Sequence, residues 1–456
     1  MNFDSVFFIS CFLPLTLGLY FLVPGIKAKN WVLLAVSLLF YSFGSLNGVL
    51  ILLAVSLVNF LLGLWLRSGK GGKAVLVLGI CCNVALLAFY KYLDFVLVQV
   101  TGQPQLALGL AAPIGISFFT FKSISYLVDT YRRPEQGTKD LSAFMLYISF
   151  FPTVVMGPIN RFCDFAPQLK ERQHSLEAAA AGICRFVAGL FKKLVIAGTL
   201  GGMVDAVFKL APSVLDARLA WLGAVGYCLQ LYFDFSGYID MTIGLSRVFG
   251  FSVNENFDHP YIASTVGGFW RRWHMSLTGW FKDYIYIPLG GNRKGKFRAG
   301  INKCIVFLLC GIWHGANWTF LLWGVWHGVF SLLESIHVIP VKKLEKTRVL
   351  GHIYTLFVVI LGFVMFRATT VSQGFAMINT MFTGFRFTDA GTVALRTLLT
   401  GESCAMLLCG GALSIPVNKI KTSRSGLACA ATLLLFVLCV IKLAAGDFSP
   451  SIYAGF

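Results

Sequence analysis

Apolar runs long enough to cross a bilayer recur from one end of this chain to the other, and they limit its folding more than any other feature. Ser5–Val23, Leu46–Leu66, Ala74–Leu97, Leu350–Phe366 and Leu427–Ala444 each come close to the roughly 17–25 residues that cover about 30 Å of hydrocarbon. Backbone amides in lipid must be satisfied within their own segment, so the helix is the expected element. The sequence thus predicts an all-α, polytopic transmembrane helical bundle of about eleven crossings. Of 456 residues, 57% are hydrophobic and 13% charged, too little polar surface to keep a domain of this length in water.

The net charge of +18 does not point to nucleic acid, because the Lys and Arg residues lie in short links between apolar runs and form no long basic tail. Positive-inside bias explains them. Lys27 and Lys29 precede an apolar hairpin, Trp31–Phe43 then Leu46–Leu66, and Arg67, Lys70 and Lys73 follow it. Both links therefore fall on one side, expected to be the cytoplasm, with the N-terminus outside. Asp4 and no basic residue precedes the first apolar run, the wrong flank for a cleaved signal peptide. Twelve cysteines are scattered without a C-x-x-C or a Cys/His group at zinc spacing, which predicts buried free thiols and no metal site. With no tandem repeat and no long polar linker, one integrated membrane domain over 1–456 is expected.

The character of the chain changes along its length. Residues 1–100 and 350–445 read as plain hydrophobic helices, whereas about 110–335 mixes apolar runs with Gly, Pro, Arg, Asp and His. Polar groups at membrane depth are costly and tend to be functional, so this middle section should hold the working parts. In "PIGISFFTFKSISYLVDTYR", Lys122 and Asp129 share one helical face. "FFPTVVMGPINRFCDFAPQL" has three prolines and Arg161 and predicts a re-entrant or interfacial break. "LQLYFDFSGYIDMTIGLSRVFGF" embeds Asp234 and Asp240, for which pairing with a nearby Arg is the expected role. "FWRRWHMSLTGWFKDYIYIPLGGNRKGK" alternates aromatic and basic residues and predicts an amphipathic helix at the membrane surface. Its Arg271, Arg272 and Lys282 would meet anionic headgroups, or else an anionic cofactor.

Of seven histidines, His174, His259, His274, His314, His327, His337 and His352, only His314 and His327 sit in a long aromatic and apolar run, "GIWHGANWTFLLWGVWHG". His274 stands at the aromatic edge of the interfacial stretch. On an unbroken helix His314 and His327 would be turned roughly 220° apart and separated by about 20 Å, so a shared metal is not expected. One working histidine, His314, fits better. A neutral imidazole accepts a proton from a hydroxyl and hands it on, help worth roughly 10²- to 10⁴-fold. The chain has no G-x-S-x-G, phosphate loop, H-E-x-x-H or Rossmann fingerprint, which counts against phosphoryl transfer and metal hydrolysis.

The stretches Phe269–Gly291 and Gly311–Gly328 resemble the signature of the membrane-bound O-acyltransferase family. Supporting matches are "PIGISFFTF", "GPINRFCDFAPQL", "GLFKKLVIA" and "YFDFSGYIDMTIGLSRVFGF", in the family's order. The resemblance is greatest to the bacterial branch that O-acetylates alginate or peptidoglycan or D-alanylates teichoic acid. It implies a central tunnel or funnel with His314 as the characteristic histidine and His274 as a second one. Trp313, Trp270, Arg271 and Arg161 are the expected substrate contacts. It also implies a multi-pass protein of the bacterial cytoplasmic membrane with no permanently bound cofactor. The donor would be acetyl-CoA or an acyl carrier protein thioester, and an extracytoplasmic partner protein would receive the acyl group on its way to a polysaccharide. D-alanyl or other acyl transfer to teichoic acid or peptidoglycan is the alternative within the class. His259 in "NFDHPY" departs from the family pattern, where a less polar residue is expected. A transporter or channel is the alternative of another class, but it calls for paired broken helices in an internal repeat, and the sequence shows none.

Overall fold

The computed structural model describes residues 1–416 and 426–446, and every regular element among them is helical. Leu46–Arg67, Gly72–Thr101, Arg348–Arg367 and Gly426–Ala444 are long and apolar enough to cross a membrane. Asp389–Leu398 and Gly401–Leu413, bent by 70° at their junction, make a fifth candidate span. The first apolar run becomes a π turn, Phe8–Phe12, leading into Leu13–Leu22, and the next becomes Ile26–Ser42. These long helices are fewer than the apolar runs suggest, because the middle of the chain puts its hydrophobic residues into short, broken or charge-bearing helices. Ala217–Val248, for example, carries both Asp234 and Asp240.

The spanning helices turn apolar side chains outward. On Gly426–Ala444, Leu433, Leu434 and Ile441 are all exposed, as a protein surface solvated by lipid requires. The same inversion corrects the expectation for the thiols. All twelve cysteines are unbridged, but Cys81, Cys82 and Cys429 are exposed on such helices and only Cys228, Cys310 and Cys439 are buried in protein.

The chain forms two compact units. The first comprises 1–186 with 239–254. Within it, Leu46–Arg67 and Gly72–Thr101 are joined by paired amides: Asn83 Nδ2 donates to Asn59 Oδ1 at 2.7 Å and Asn59 Nδ2 to Asn83 Oδ1 at 3.3 Å. Such polar pairs hold helices together where lipid supplies no hydrophobic drive. Lys122, on the Ile116–Arg132 helix, is fully buried and donates to Thr153 Oγ1 (2.9 Å) and the Tyr147 carbonyl (3.2 Å). The proline-rich stretch breaks as expected, into a short helix Phe151–Val154, an irregular segment, and Phe162–Lys170 with Pro167 inside it. Asp240 accepts from Arg185 at 2.9 Å.

The second unit comprises 187–238 and the described residues from Glu255 onward. Its buried ion pair is Lys193 with Asp234. Its most closely packed element pair is an antiparallel hairpin, Gly295–His314 and Trp318–Ser335. Gly311 and Gly324 make that packing possible: a Cβ on Gly311 would lie 2.5 Å from the Phe320 carbonyl oxygen, and one on Gly324 2.5 Å from that of Phe307. The two backbones touch, as at small-residue helix contacts in membranes.

Candidate active site

His274 is placed by the segment between residues 255 and 294. This segment is not the single amphipathic helix its aromatic and basic alternation suggests. Thr265 caps a short helix, Val266–Trp270, by accepting from Gly268 N. The chain then turns, and His274 takes the left-handed conformation (φ 45°, ψ 53°) before the Met275–Phe281 helix and a π turn, Lys282–Tyr286. A non-glycine residue in this region needs outside support. Asn256, fully buried, supplies it: its carbonyl accepts from Met275 N (3.0 Å) and its side-chain Oδ1 from Ser276 N (2.8 Å). The backbone on either side of His274 is further tied by Asp258 N donating to the Arg272 carbonyl at 3.0 Å.

His314 is placed by the hairpin. It ends the first arm, and Asn317 starts the second by accepting from Thr319 N at 3.1 Å. His314 and His327 are therefore on two antiparallel helices and not on one, which corrects the geometry expected from an unbroken helix. Trp323 lies between them, its ring centre 5.1 Å from that of His314 and 5.2 Å from that of His327.

A cavity of about 240 Å³ in the second unit is lined by both His274 and His314. Trp270, Trp323, Phe363 and Phe366 form part of its apolar wall, and its charged lining is Arg271, Lys282, Lys303 and Glu334. Both histidines are almost wholly buried. Among the described residues neither ring nitrogen of His274 has a hydrogen-bond partner, an unusual state for a buried polar group. Trp313 stands with its ring centre 4.7 Å from that of His314 and 6.4 Å from that of His274, an indole contacting both imidazoles. Edge contacts from Phe235 to His274 (4.7 Å) and from Phe366 to His314 (4.9 Å) complete the packing.

Of the residues expected from sequence, His274, His314, Trp270 and Arg271 line this cavity, and Trp313 packs on its two histidines. Arg161 is not among the lining residues; it precedes the Phe162–Lys170 helix in the first unit. Lys282 lines the cavity, whereas Arg272 pairs with Asp258 at 2.5 Å. His327 is fully buried behind Trp270 and Trp323 and does not line it.

Sequence reasoning passed over two charged residues of the cavity. Glu334 accepts from Val266 N (2.7 Å), Gly267 N (2.9 Å) and the Tyr354 hydroxyl (3.2 Å), so it fixes the start of the helix bearing Trp270. Lys303 donates to Ser335 Oγ at 2.7 Å. A lone acid near the end of an apolar helix, "SLLESIH", was the available signal for Glu334. Asn256 left none, since its role depends on backbone it meets only after folding.

The comparison with known proteins now gives the class. The family model described as MBOAT, membrane-bound O-acyltransferase family, matches residues 74–378, and the chain belongs to that family. It is thus an integral membrane acyltransferase. Among its relatives, a probable alginate O-acetylase of Azotobacter vinelandii is 36% identical over the whole of both chains. A peptidoglycan O-acetyltransferase of Helicobacter pylori is 34% identical over 83% of this chain and 79% of its own. A teichoic acid D-alanyltransferase of Bacillus subtilis is 29% identical over 44% of this chain and 53% of its own.

Proposed function

We propose that this protein O-acetylates a cell-surface polysaccharide of the alginate kind. It takes an acetyl group from a cytoplasmic thioester, acetyl-CoA or an acyl carrier protein, and passes it across the bacterial cytoplasmic membrane, through a tunnel within a bundle of about eleven crossings, to an extracytoplasmic partner protein. The observation that carries the reading is the shared cavity of His274 and His314. In the reaction, the acceptor hydroxyl gives its proton to imidazole as its oxygen attacks the thioester carbonyl. The carbon–sulfur bond then breaks, and the proton passes to the departing thiolate to leave a free thiol. His314 is the general base or acyl-relay residue and His274 assists, while the surrounding indoles exclude water. Arg271, Lys282 and Lys303 suit an anionic donor.

A cavity of about 240 Å³ is smaller than the roughly 300–1,000 Å³ of drug-sized ligand sites. It has room for the reacting end of a donor and not for a polymer, which supports a partner that carries the acetyl group onward. D-alanyl transfer would instead bring an ammonium into a site lined by three cations and one carboxylate, Glu334. That carboxylate already accepts from two backbone amides and a hydroxyl. Acetyl is the better fit, and the relatives matched over the greater share of the chain are named as O-acetylating enzymes.

The test is genetic and chemical. Deletion should remove ester-linked acetyl from one surface polymer; the wild-type chain should restore it and His314→Ala should not. Restored esterification by His314→Ala would defeat the mechanism. Purified protein should also release free thiol from acetyl-CoA, which a transporter would not do.

A further inference from the structure

Two adjoining cavities in the first unit are shaped for an amphiphile. One, of about 770 Å³, has the more polar lining and lies where Ile26–Ser42 begins and where Leu46–Arg67 and Phe162–Lys170 end. Lys27, Arg67, Lys139 and Lys170 line it, against only two acids, Glu135 and Asp140. Asp140 is already committed as a helix cap, accepting from Ala143 N at 3.1 Å and Ser142 Oγ at 2.7 Å. Arg67 is anchored by its Nε on the Gly137 carbonyl at 3.0 Å. Among the described residues, Lys27, Lys139 and Lys170 form no salt bridge. The other cavity, of about 740 Å³, shares Trp31, Leu34, Lys139, Asp140 and Ser142 with the first and continues as an apolar groove between Leu34, Ala35 and Leu38 on one wall and Leu141 and Met145 on the other.

Trp31, at the junction, is 62% exposed. Exposed indoles in membrane proteins settle at the boundary between headgroups and acyl chains. Here that boundary has an excess of cations on one side, four against two carboxylates, and aliphatic side chains on the other. We propose that this pair of cavities binds an anionic phospholipid, with its phosphate among Lys27, Arg67, Lys139 and Lys170 and an acyl chain along Leu34, Leu38 and Met145. An acidic protein segment would satisfy the cations but leave the groove facing hydrocarbon unfilled. The basic end is the one positive-inside bias assigns to the cytoplasmic leaflet, where anionic lipids concentrate their charge.

The full-length protein in detergent, stripped of lipid, is titrated with phosphatidylglycerol and, separately, with phosphatidylcholine of the same chains; melting temperature and lipid retention by native mass spectrometry are read. Phosphatidylglycerol should be retained and raise the melting temperature, and phosphatidylcholine should do neither. Lys139→Gln with Lys170→Gln should weaken the phosphatidylglycerol response about tenfold or more, while Lys139→Arg with Lys170→Arg should preserve it. Ala35→Phe, which fills the groove, should weaken it with all charges intact. An equal response to phosphatidylcholine, an unchanged response in the Gln pair or in Ala35→Phe, or full reproduction by inorganic phosphate or polyglutamate would overturn the proposal. None of these variants touches the histidine cavity, so failure here and failure of the acyltransferase reading are separable.

Discussion

His274 is held in a backbone conformation that costs a non-glycine residue about 1–3 kcal/mol, and its neighbours on both sides are tied to Asn256 and Asp258. Glycine would relieve that strain but leave a cavity where the buried ring packs against Phe235 and Trp313, two effects of opposite sign. His274→Gly should therefore shift the melting temperature little while acetyl transfer falls. A loss of stability with activity retained would show the imidazole to be packing alone. His314→Ala should cost more, roughly 10²-fold or greater if the ring is the base, measured as polymer acetylation or thiol release. Asn256 holds the backbone beside His274 and does not line the cavity. Asn256→Ala removes the acceptor for Ser276 N and leaves a buried donor unsatisfied, about 1–3 kcal/mol. Asn256→Asp keeps an accepting oxygen and should retain more of the turnover, and that ranking under saturating donor separates positioning from simple destabilisation.

At the scale of elements, the decisive feature is the hairpin whose arms meet at Gly311 and Gly324. A Cβ at Gly324 would meet backbone atoms of Phe307, which cannot rotate away, so Gly324→Leu should spread the arms and move His314 off the cavity. Overpacking of this kind costs about 1–3 kcal/mol or more, and both stability and activity should fall. Gly202→Ala is the control: it lies on the Gly198–Phe208 helix with nothing near its would-be Cβ and should be neutral or stabilising by about 0.5–1 kcal/mol. The spanning helices were legible in the sequence, Leu46–Leu66 becoming Leu46–Arg67 and Leu350–Phe366 becoming Arg348–Arg367, because lipid rewards an uninterrupted apolar run. The site was legible as residue types and less so as geometry. An aromatic run disguised the turn at Gly315–Asn317, although Asn before a hydrophobic stretch is a recognisable helix start. The break around His274 could not be read, because Asn256 stabilises it from outside the segment. Glu334 stands in the last turn of an apolar helix, and only the folded chain brings the amides of Val266 and Gly267 to it.

For the whole molecule, the proposed reaction takes its donor from one side of the membrane and passes the acyl group to the other, so sidedness is part of that proposal. The excess of Lys and Arg over acids gives the +18 charge, and the basic links at Lys27–Lys29 and Arg67–Lys73 bracket a helical hairpin, Ile26–Ser42 and Leu46–Arg67. Two antiparallel helices return the chain to the side from which it came, so these links share one face, and positive-inside bias predicts that this face is cytoplasmic. Ser68 is an exposed residue in the second link. In a background with the twelve native cysteines replaced, Ser68→Cys should react with a membrane-impermeant maleimide in inverted vesicles and stay unlabelled in intact spheroplasts. Labelling from outside would reverse the assignment. The same vesicles allow the stronger form of the test: acetyl-CoA supplied to the Ser68 face should support thiol release, and acetyl-CoA confined to the other face should not.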